Sequence, residues 1–506
     1  MHSPEFVPSF EEFLHLAAQG NLVPVWSEVL ADLETPVSAF AKLRARWGEG
    51  DAWLLESVEG GENLARYSFL GVTARASFSS RGSTGVIREN GAESVVEIRT
   101  GHDPLHVVEE LMARYRFVPV PGLPRFCGGA VGFLGYDCVR FFEKLPAAPP
   151  DDRNIDDCYL ILTDTVLIFD AVRHSIKVLN NAFVENDLPQ TVRAAYDLAC
   201  TEIKKTLDCL RDETTRPLSL PLVTTEELEP KSNFARREDH EAVVQRAIDY
   251  IHAGDCVQIV PSQRFEVPLR TDPFTVYRAL RHVSPAPYMF YLKLGDVELC
   301  GASPEVLVTE DAGRVTTRPI AGTRRRGVTP EEDLALEQEL LADPKEVSEH
   351  IMLVDLHRND IGRVCEYGSV EVDEFKAVER YSHVMHIVSN IVGTLRADKT
   401  AFDLLRASFP AGTLSGAPKI RAMQIIDEFE PTKRGPYGGA IGYFSYSGNL
   451  DTCITLRTIV AKDGIAYIQA GGGVVADSVP ADEYEETRNK ARAALRAIAL
   501  AHAATE

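Results

Sequence analysis

Between Gly435 and Arg492 four chemically distinct groups follow one another with short spacers. Tyr437 stands in Gly-Pro-Tyr-Gly-Gly. Arg457 closes Asp451-Thr-Cys-Ile-Thr-Leu-Arg. Gly471, Gly472 and Gly473 form a triple-glycine turn. Glu483, Glu486 and Lys490 follow Pro480 at i, i+3, i+7 spacing. Arginine and free backbone N–H groups bind carboxylates, whereas clustered glutamates bind a hard cation such as Mg²⁺. A pocket holding both suits a small anionic acid gripped partly through a metal.

Upstream segments offer further groups. Asp343-Pro-Lys-Glu346-Val-Ser-Glu349-His350 reads as a helix with Asp343 as N-cap and Pro344 first, placing Glu346 and Glu349 one turn apart. The ordinary explanation of acidic helix starts, here and at Glu483 and Glu486, is complementing the helix dipole. Glu305 follows a Ser-Pro turn after a strand beginning near Tyr288, where a raised pKa makes a general acid and an ordinary pKa a solvated turn residue. Gly322-Thr323 offers N–H and hydroxyl donors ahead of an arginine run. His383 and His386 stand three apart, and lone histidines are more often structural. Phe409-Pro-Ala-Gly-Thr-Leu-Ser-Gly-Ala-Pro-Lys419 is a small-residue loop without the spacing of a phosphate-binding motif.

The elements that must position these groups are mixed. Helices are expected over 10–18, 36–47, 191–210 and 239–253, with a last one from Pro480. Residues 52–57 and 159–169, rich in β-formers, are expected as strands. From Arg211 to Asn233 the chain is polar, with prolines at 217, 221 and 230, and is the best linker candidate. It divides a region 1–225 from a region 226–506. Gly128-Gly-Ala-Val-Gly-Phe133 echoes Gly438-Gly-Ala-Ile-Gly-Tyr443, as a shared strand-and-turn device or as the trace of an old duplication in which only the second copy kept the chemistry.

The 506 residues, 45% hydrophobic, suit two or three domain-sized units of a soluble protein. No apolar run is long enough to span a membrane, and the N-terminus lacks the pattern of a signal peptide. Nine scattered cysteines without a CxxC pair favour reduced thiols in the cytoplasm. A formal charge of −22 argues against nucleic acid or an anionic membrane surface as partner, so an anionic substrate needs a local positive site, for which Arg457 and Lys490 are candidates.

Taken in order, the Gln258 strand, Ser-Pro-Glu305, Pro-Ile-Ala-Gly-Thr323, Glu349-His, His386, Gly-Thr-Leu-Ser-Gly-Ala-Pro418 and Glu-Thr-Arg-Asn-Lys490 resemble the chorismate-utilising enzymes. More narrowly they resemble anthranilate synthase component I, whose regulatory region is similar to Leu54-Leu-Glu56-Ser57 and Asn63-Leu-Ala-Arg-Tyr67. Water-adding relatives carry a basic lysine where Gln258 stands, and aminodeoxychorismate synthases a nucleophilic lysine where Ala321 stands. The pattern therefore resembles the enzyme that delivers ammonia to ring carbon 2.

The resemblance implies an α+β fold, an antiparallel β-sandwich core flanked by helices, in two intimately packed halves. Region 1–225 would be regulatory and partner-docking, and region 226–506 the chorismate-binding catalytic domain. It implies Mg²⁺ on Glu349 and Glu486, with Glu483 acting through a water, and substrate held by Gly322, Thr323, Tyr437, Arg457, Gly471, Gly472, Gly473 and Lys490. Glu305 would be the general acid, His386 would lie near the chemistry, and Gln258 would stand beside the nucleophile. Tryptophan would inhibit from a separate site, with Glu56 on its ammonium group, Ser57 on a polar group, Pro287, Tyr288 and Met289 as a second wall for the indole, and Gly301 and Arg66 nearby. No glutamine amidotransferase elbow surrounds any cysteine, so ammonia would come from a glutaminase partner subunit or from solution. Alternatives are a relative making aminodeoxychorismate or stopping at amino-deoxy-isochorismate, and a non-catalytic regulatory subunit.

Overall fold

The computed structural model describes residues 4–504 apart from 49, 58–65, 146, 187, 213–217, 222–227 and 382–383. Residues 63–65 of the regulatory motif, Pro217 of the linker and His383 therefore lie outside the described residues.

Among the described residues, alternating apolar strands assemble into two large antiparallel sheets of 11 and 12 strands. Period-2 alternation points successive side chains to opposite faces, and the central strands are buried on both. Trp53, Phe290 and Leu292 of one sheet meet Val131, Phe133, Ile441 and Tyr443 of the other in a shared aromatic layer. Helices cover both outer faces: Pro36–Trp47, Pro189–Leu210, Pro273–Val283 and Pro480–His502 on the first sheet, Pro104–Met112 and Ala401–Ser408 on the second. Truncating a fully buried ring such as Trp53 or Phe133 to alanine costs about 3–5 kcal/mol.

Each sheet is centred on one strand from each half of the chain. Ala52–Glu56 pairs with Tyr288–Leu294, and Gly129–Leu134 with Ala440–Ser445. Outward from the first centre the strands match step by step. Tyr67–Gly71 corresponds to Val297–Ser303, Thr165–Asp170 to Thr458–Lys462, Ser175–Phe183 to Ile465–Gly471, and Leu22–Leu30 to Ser262–Pro268. The second sheet matches likewise, Cys158–Thr163 with Leu450–Ile454 and Ala74–Arg81 with Val306–Asp311. The two echoing segments of the sequence are thus the central pair, with Gly132 opposite Gly442. A Cβ at Gly132 would stand 2.0 Å from Tyr159 O, and one at Gly442 2.0 Å from Asp451 O, so both need glycine for the same close approach. This two-fold order favours the duplication over a chance device.

One expected strand is corrected. Residues 159–169 are two strands in different sheets, Cys158–Thr163 and Thr165–Asp170, with the chain crossing between sheets at Asp164. Both strands are buried on both faces, so alternation carries no mark of the crossing. The strand from Tyr288 is the first arm of a hairpin whose second arm, Val297–Ser303, leads to Glu305. The expected helices at 10–18, 36–47, 191–210, 239–253 and from Pro480 all form, within two residues of the expected starts and one of the ends.

Candidate active site

The second half crosses between sheets twice, and each crossing delivers a charged group. Val297–Ser303 passes into Val306–Asp311 through Pro304-Glu305, and Leu450–Ile454 into Thr458–Lys462 through Thr455-Leu456-Arg457. The crossings are stitched together. Ile454 N donates to Glu305 O (3.0 Å), and Ser303 Oγ to Ile454 O (2.7 Å). Arg457 adopts a left-handed conformation (φ 49°), uncommon for a non-glycine residue and typical of functional turns. Burial pushes the Glu305 carboxyl above the usual carboxylate range, against the pull of the Thr413 hydroxyl, Lys490 and Arg457. Thr413 Oγ1 donates to Glu305 Oε2 at 3.1 Å. In the first half the corresponding crossings are closed by an Arg75–Asp164 ion pair, with the guanidinium over Tyr115 and Phe183.

The triple-glycine turn is the meeting point of the acidic helices. A Cβ on Gly471 would lie 2.9 Å from Tyr437 Oη, one on Gly472 2.7 Å from Glu483 Oε2, and one on Gly473 2.6 Å from Gln258 Nε2 and 3.7 Å from Glu349 Oε1. A side chain here would displace the carboxylate and amide ends that meet at the turn. Gln258 Nε2 donates to Glu349 Oε1 (2.9 Å), which leaves the buried Gln258 Oε1 without a partner. Lys490 Nζ reaches Gly471 O (2.9 Å) and pairs with Glu486 (2.7 Å).

Burial raises the pKa of Glu349, and the neighbouring charges of Glu346 and Glu486 push the same way, against the Gln258 amide. Burial likewise raises Glu483, whose Oε1 accepts from Ser478 while Oε2 is buried without a partner. Three crowded carboxylates and an orphaned buried oxygen are what a divalent cation relieves. Among the described residues no three potential ligand side chains close around one point as a preformed cage. Mg²⁺ takes one or two carboxylates and keeps several waters, so this donor set suits it better than an all-protein cage would.

His386 stands on the 384–394 strand, opposite Thr323 in register. Its Nδ1 lies 2.9 Å from Gly322 O and 3.1 Å from Thr323 Oγ1. The carbonyl accepts, so Nδ1 bears the proton and Nε2 keeps its lone pair. Burial lowers the His386 pKa and favours the neutral ring. The structure thus brings Gln258, Glu305, Glu349, Tyr437, Arg457, the glycines, Glu483, Glu486 and Lys490 around one cleft, with Gly322, Thr323 and His386 mutually bonded beside it. Sequence reasoning missed Thr413. Its loop stood out by composition, but nothing in the sequence tied it to Glu305.

A separate cavity of about 380 Å³ opens between the central strands of the first sheet and those of the second. Ser57, Arg66, Pro287 and Tyr288 line it, with Phe290, Tyr443, Arg125, Asp311 and Asp451. Glu56 and Met289 line it as well. Glu56 and Met289 sit opposite each other in register, and strand alternation turns both side chains to the helical layer. There the Glu56 carboxylate accepts from Tyr277 and pairs with Arg281. Gly301 lies under the Phe290 ring, which a Cβ would strike at 2.0 Å, and so seats that ring rather than lining the cavity.

Residues 65–496 match the chorismate binding enzyme family. The chain belongs to that family. Anthranilate synthase component 1 of Pseudomonas aeruginosa is 50% identical over 503 residues, spanning 98% of this chain and 99% of the relative. That of Acetivibrio thermocellus is 48% identical over 97% and 98%. The crystal structure of anthranilate synthase component I from Streptococcus pneumoniae superposes with a TM-score of 0.73 at 36% identity, covering 92% of this chain and 99% of that one. The menaquinone-specific isochorismate synthase of Escherichia coli shares the fold (TM-score 0.68) at 18% identity. As a member of the family, the chain has its α+β architecture of antiparallel sheets and helices. All nine cysteines are free thiols, and no described helix is long and apolar enough to cross a membrane.

Proposed function

We propose that this chain is the chorismate-converting component of an anthranilate synthase, a Mg²⁺-dependent carbon–oxygen lyase that joins chorismate and ammonia to give anthranilate and pyruvate in tryptophan biosynthesis. The observation that carries this reading is Gln258 bonded to Glu349 at the glycine turn, where a water-adding relative carries its lysine base. An amide cannot deprotonate water, whereas neutral ammonia attacks with its own lone pair.

Glu349 and Glu486, with Glu483 through a water, would hold Mg²⁺, which neutralises the ring carboxylate when bound. Tyr437, Arg457, Lys490 and the Gly473 N–H hold the enolpyruvyl carboxylate, and Gly322 and Thr323 close the pocket. Glu305, whose acid form burial favours, hands its proton to the departing 4-hydroxyl. The bond from carbon 2 to nitrogen forms, both ring double bonds shift by one position, the bond from carbon 4 to oxygen breaks as water leaves, and the new ammonium group gives up a proton. His386, neutral with Nε2 free, serves the second step, in which the proton on carbon 2 is lost, the bond from carbon 3 to oxygen breaks, and the departing enolpyruvate takes up a proton to become pyruvate. Exclusion of water protects the first step, because water is far more concentrated than ammonia.

Ammonia reaches the chain from a glutaminase partner subunit, in the cytoplasm, with residues 1–225 as the regulatory and docking region. The test is product identification. The purified chain with chorismate, Mg²⁺ and an ammonium salt is expected to form anthranilate, and to use glutamine only with a partner. A hydroxylated product, or glutamine-dependent turnover by the chain alone, overturns the reading.

The cavity beside Ser57 is the proposed tryptophan site. With Glu56 held by Tyr277 and Arg281, and Asp451 by Arg125 and Tyr288, Asp311 is the carboxylate for a bound ammonium group, Arg66 (paired with Asp170) and Arg125 are the cations for its carboxylate, and Tyr288, Phe290 and Tyr443 the rings for indole. Asp451 begins the path to Arg457 along the 450–454 strand, so ligand preference for one arrangement of that strand would be felt in the cleft. Ser57→Phe fills the cavity and is expected to abolish inhibition while leaving uninhibited turnover within about twofold. Inhibition curves for variant and parent that coincide at millimolar tryptophan rule out this site.

A further inference from the structure

Outside the cleft, the most fully engaged buried charge among the described residues of the second half is Arg434, four residues past Glu430, the C-cap of the 419–429 helix. Both Arg434 and Glu430 are almost completely buried. The guanidinium donates from Nε to Glu430 Oε2 (2.9 Å) and from Nη2 to Glu430 Oε1 (2.6 Å). The same fork also donates from Nη1 to Leu414 O (2.6 Å) and from Nη2 to Val260 O (2.7 Å). Its flat face lies 4.6 Å from the Tyr136 ring centroid and 5.5 Å from that of Tyr437. Glu430 Oε1 in turn accepts from Ser262 N (2.8 Å) and Ser262 Oγ (2.7 Å), and Gln469 Nε2 donates to that hydroxyl (2.8 Å).

Each anchored segment carries a group of the cleft. Leu414 follows Thr413, the hydrogen-bond partner of Glu305. Val260 lies two residues beyond Gln258. The Tyr437 ring centroid lies 5.5 Å from the guanidinium, and Gln469 stands two residues before Gly471. We propose that the Arg434–Glu430 pair is the positioning element of the cleft, fixing the Thr413, Gln258 and glycine-turn segments relative to one another without touching substrate. A planar fork suits the task. It satisfies a carboxylate and two carbonyls at once, which a single ammonium at the end of a flexible chain cannot do.

The inference rests on the proposed activity and has its own signature. Glu305 faces Thr413, Arg457 and Lys490, and the Thr413 hydroxyl is among the groups holding its pKa down. Releasing Leu414 displaces that hydroxyl, so Glu305 stays protonated to higher pH. Arg434→Lys keeps the charge and loses the fork. With ammonia as nucleophile it is expected to lower kcat at least tenfold with KM for chorismate within about threefold. The alkaline limb of kcat should move to higher pH, in the same direction as in Thr413→Val. Glu430→Gln, which keeps shape and volume, should give a weaker version of the same pattern and serves as the readout where Arg434→Lys does not fold.

A variant with lowered thermal midpoint but parental kcat and pH profile overturns the proposal and leaves an ordinary buried ion pair. So does a raised KM at unchanged kcat. Absence of anthranilate from the unsubstituted chain would instead sink the activity assignment, and the two failures are distinguished by the parent enzyme alone.

Discussion

Glu349→Ala and Glu486→Ala are each expected to cut anthranilate formation by on the order of 10²-fold or more, the scale of removing a principal electrostatic stabiliser. Neither residue lies in the first turn of its helix. Pro344–Gly362 has Glu346 there, and Pro480–His502 has Asp482 and Glu483. A dipole effect confined to the first turn therefore does not account for Glu349 or Glu486. Both instead converge on the glycine turn, Glu349 held by Gln258 and Glu486 by Lys490. The check is turnover across a Mg²⁺ titration, with calorimetric metal binding alongside. Near-parental, Mg²⁺-dependent rates in both variants would return these side chains to a structural role.

Glu305→Gln is expected to lower kcat by about 10²–10⁴-fold, the range of general acid catalysis, while leaving chorismate binding nearly intact. Glutamine keeps the contact with Thr413 and has no proton to give. The pH dependence follows from the sign of the shift. Burial raises the Glu305 pKa, so the acid form persists above the usual carboxylate range and activity falls as pH rises through that raised value. In Glu305→Gln that alkaline fall should vanish from the residual rate. A rate-against-pH series on both proteins checks it, and an unchanged alkaline limb would falsify Glu305 as the acid.

Much of this was legible in the sequence because the signals are local. Asp343 caps the 344–362 helix through the N–H groups of Lys345 and Glu346, as an Asp-Pro start implies, and Pro480 opens the last helix. The ordered motifs sufficed to bring the cleft residues onto one candidate site. What escaped depends on pairing at a distance. The crossing at Asp164 left no break in the alternation of 158–170. The side of the sheet that Glu56 and Met289 face depends on which layer each face meets, and that is decided by strands far away in sequence. Thr413, Glu430 and Arg434 act only through groups that folding brings to them.

The central strand pairs also shape how the chain can be made. During synthesis the first half emerges with Ala52–Glu56 and Gly129–Leu134 as open edges, because their partners Tyr288–Leu294 and Ala440–Ser445 lie in the half still to come. At roughly 5–20 residues per second the wait is on the order of ten seconds or more. Over that time two apolar edge strands are templates for any passing strand, including those of a second nascent copy. The second half, with the cleft, is thus the cap on the first half's edges, and a ribosome stalled between the halves releases an aggregation-prone fragment rather than a domain.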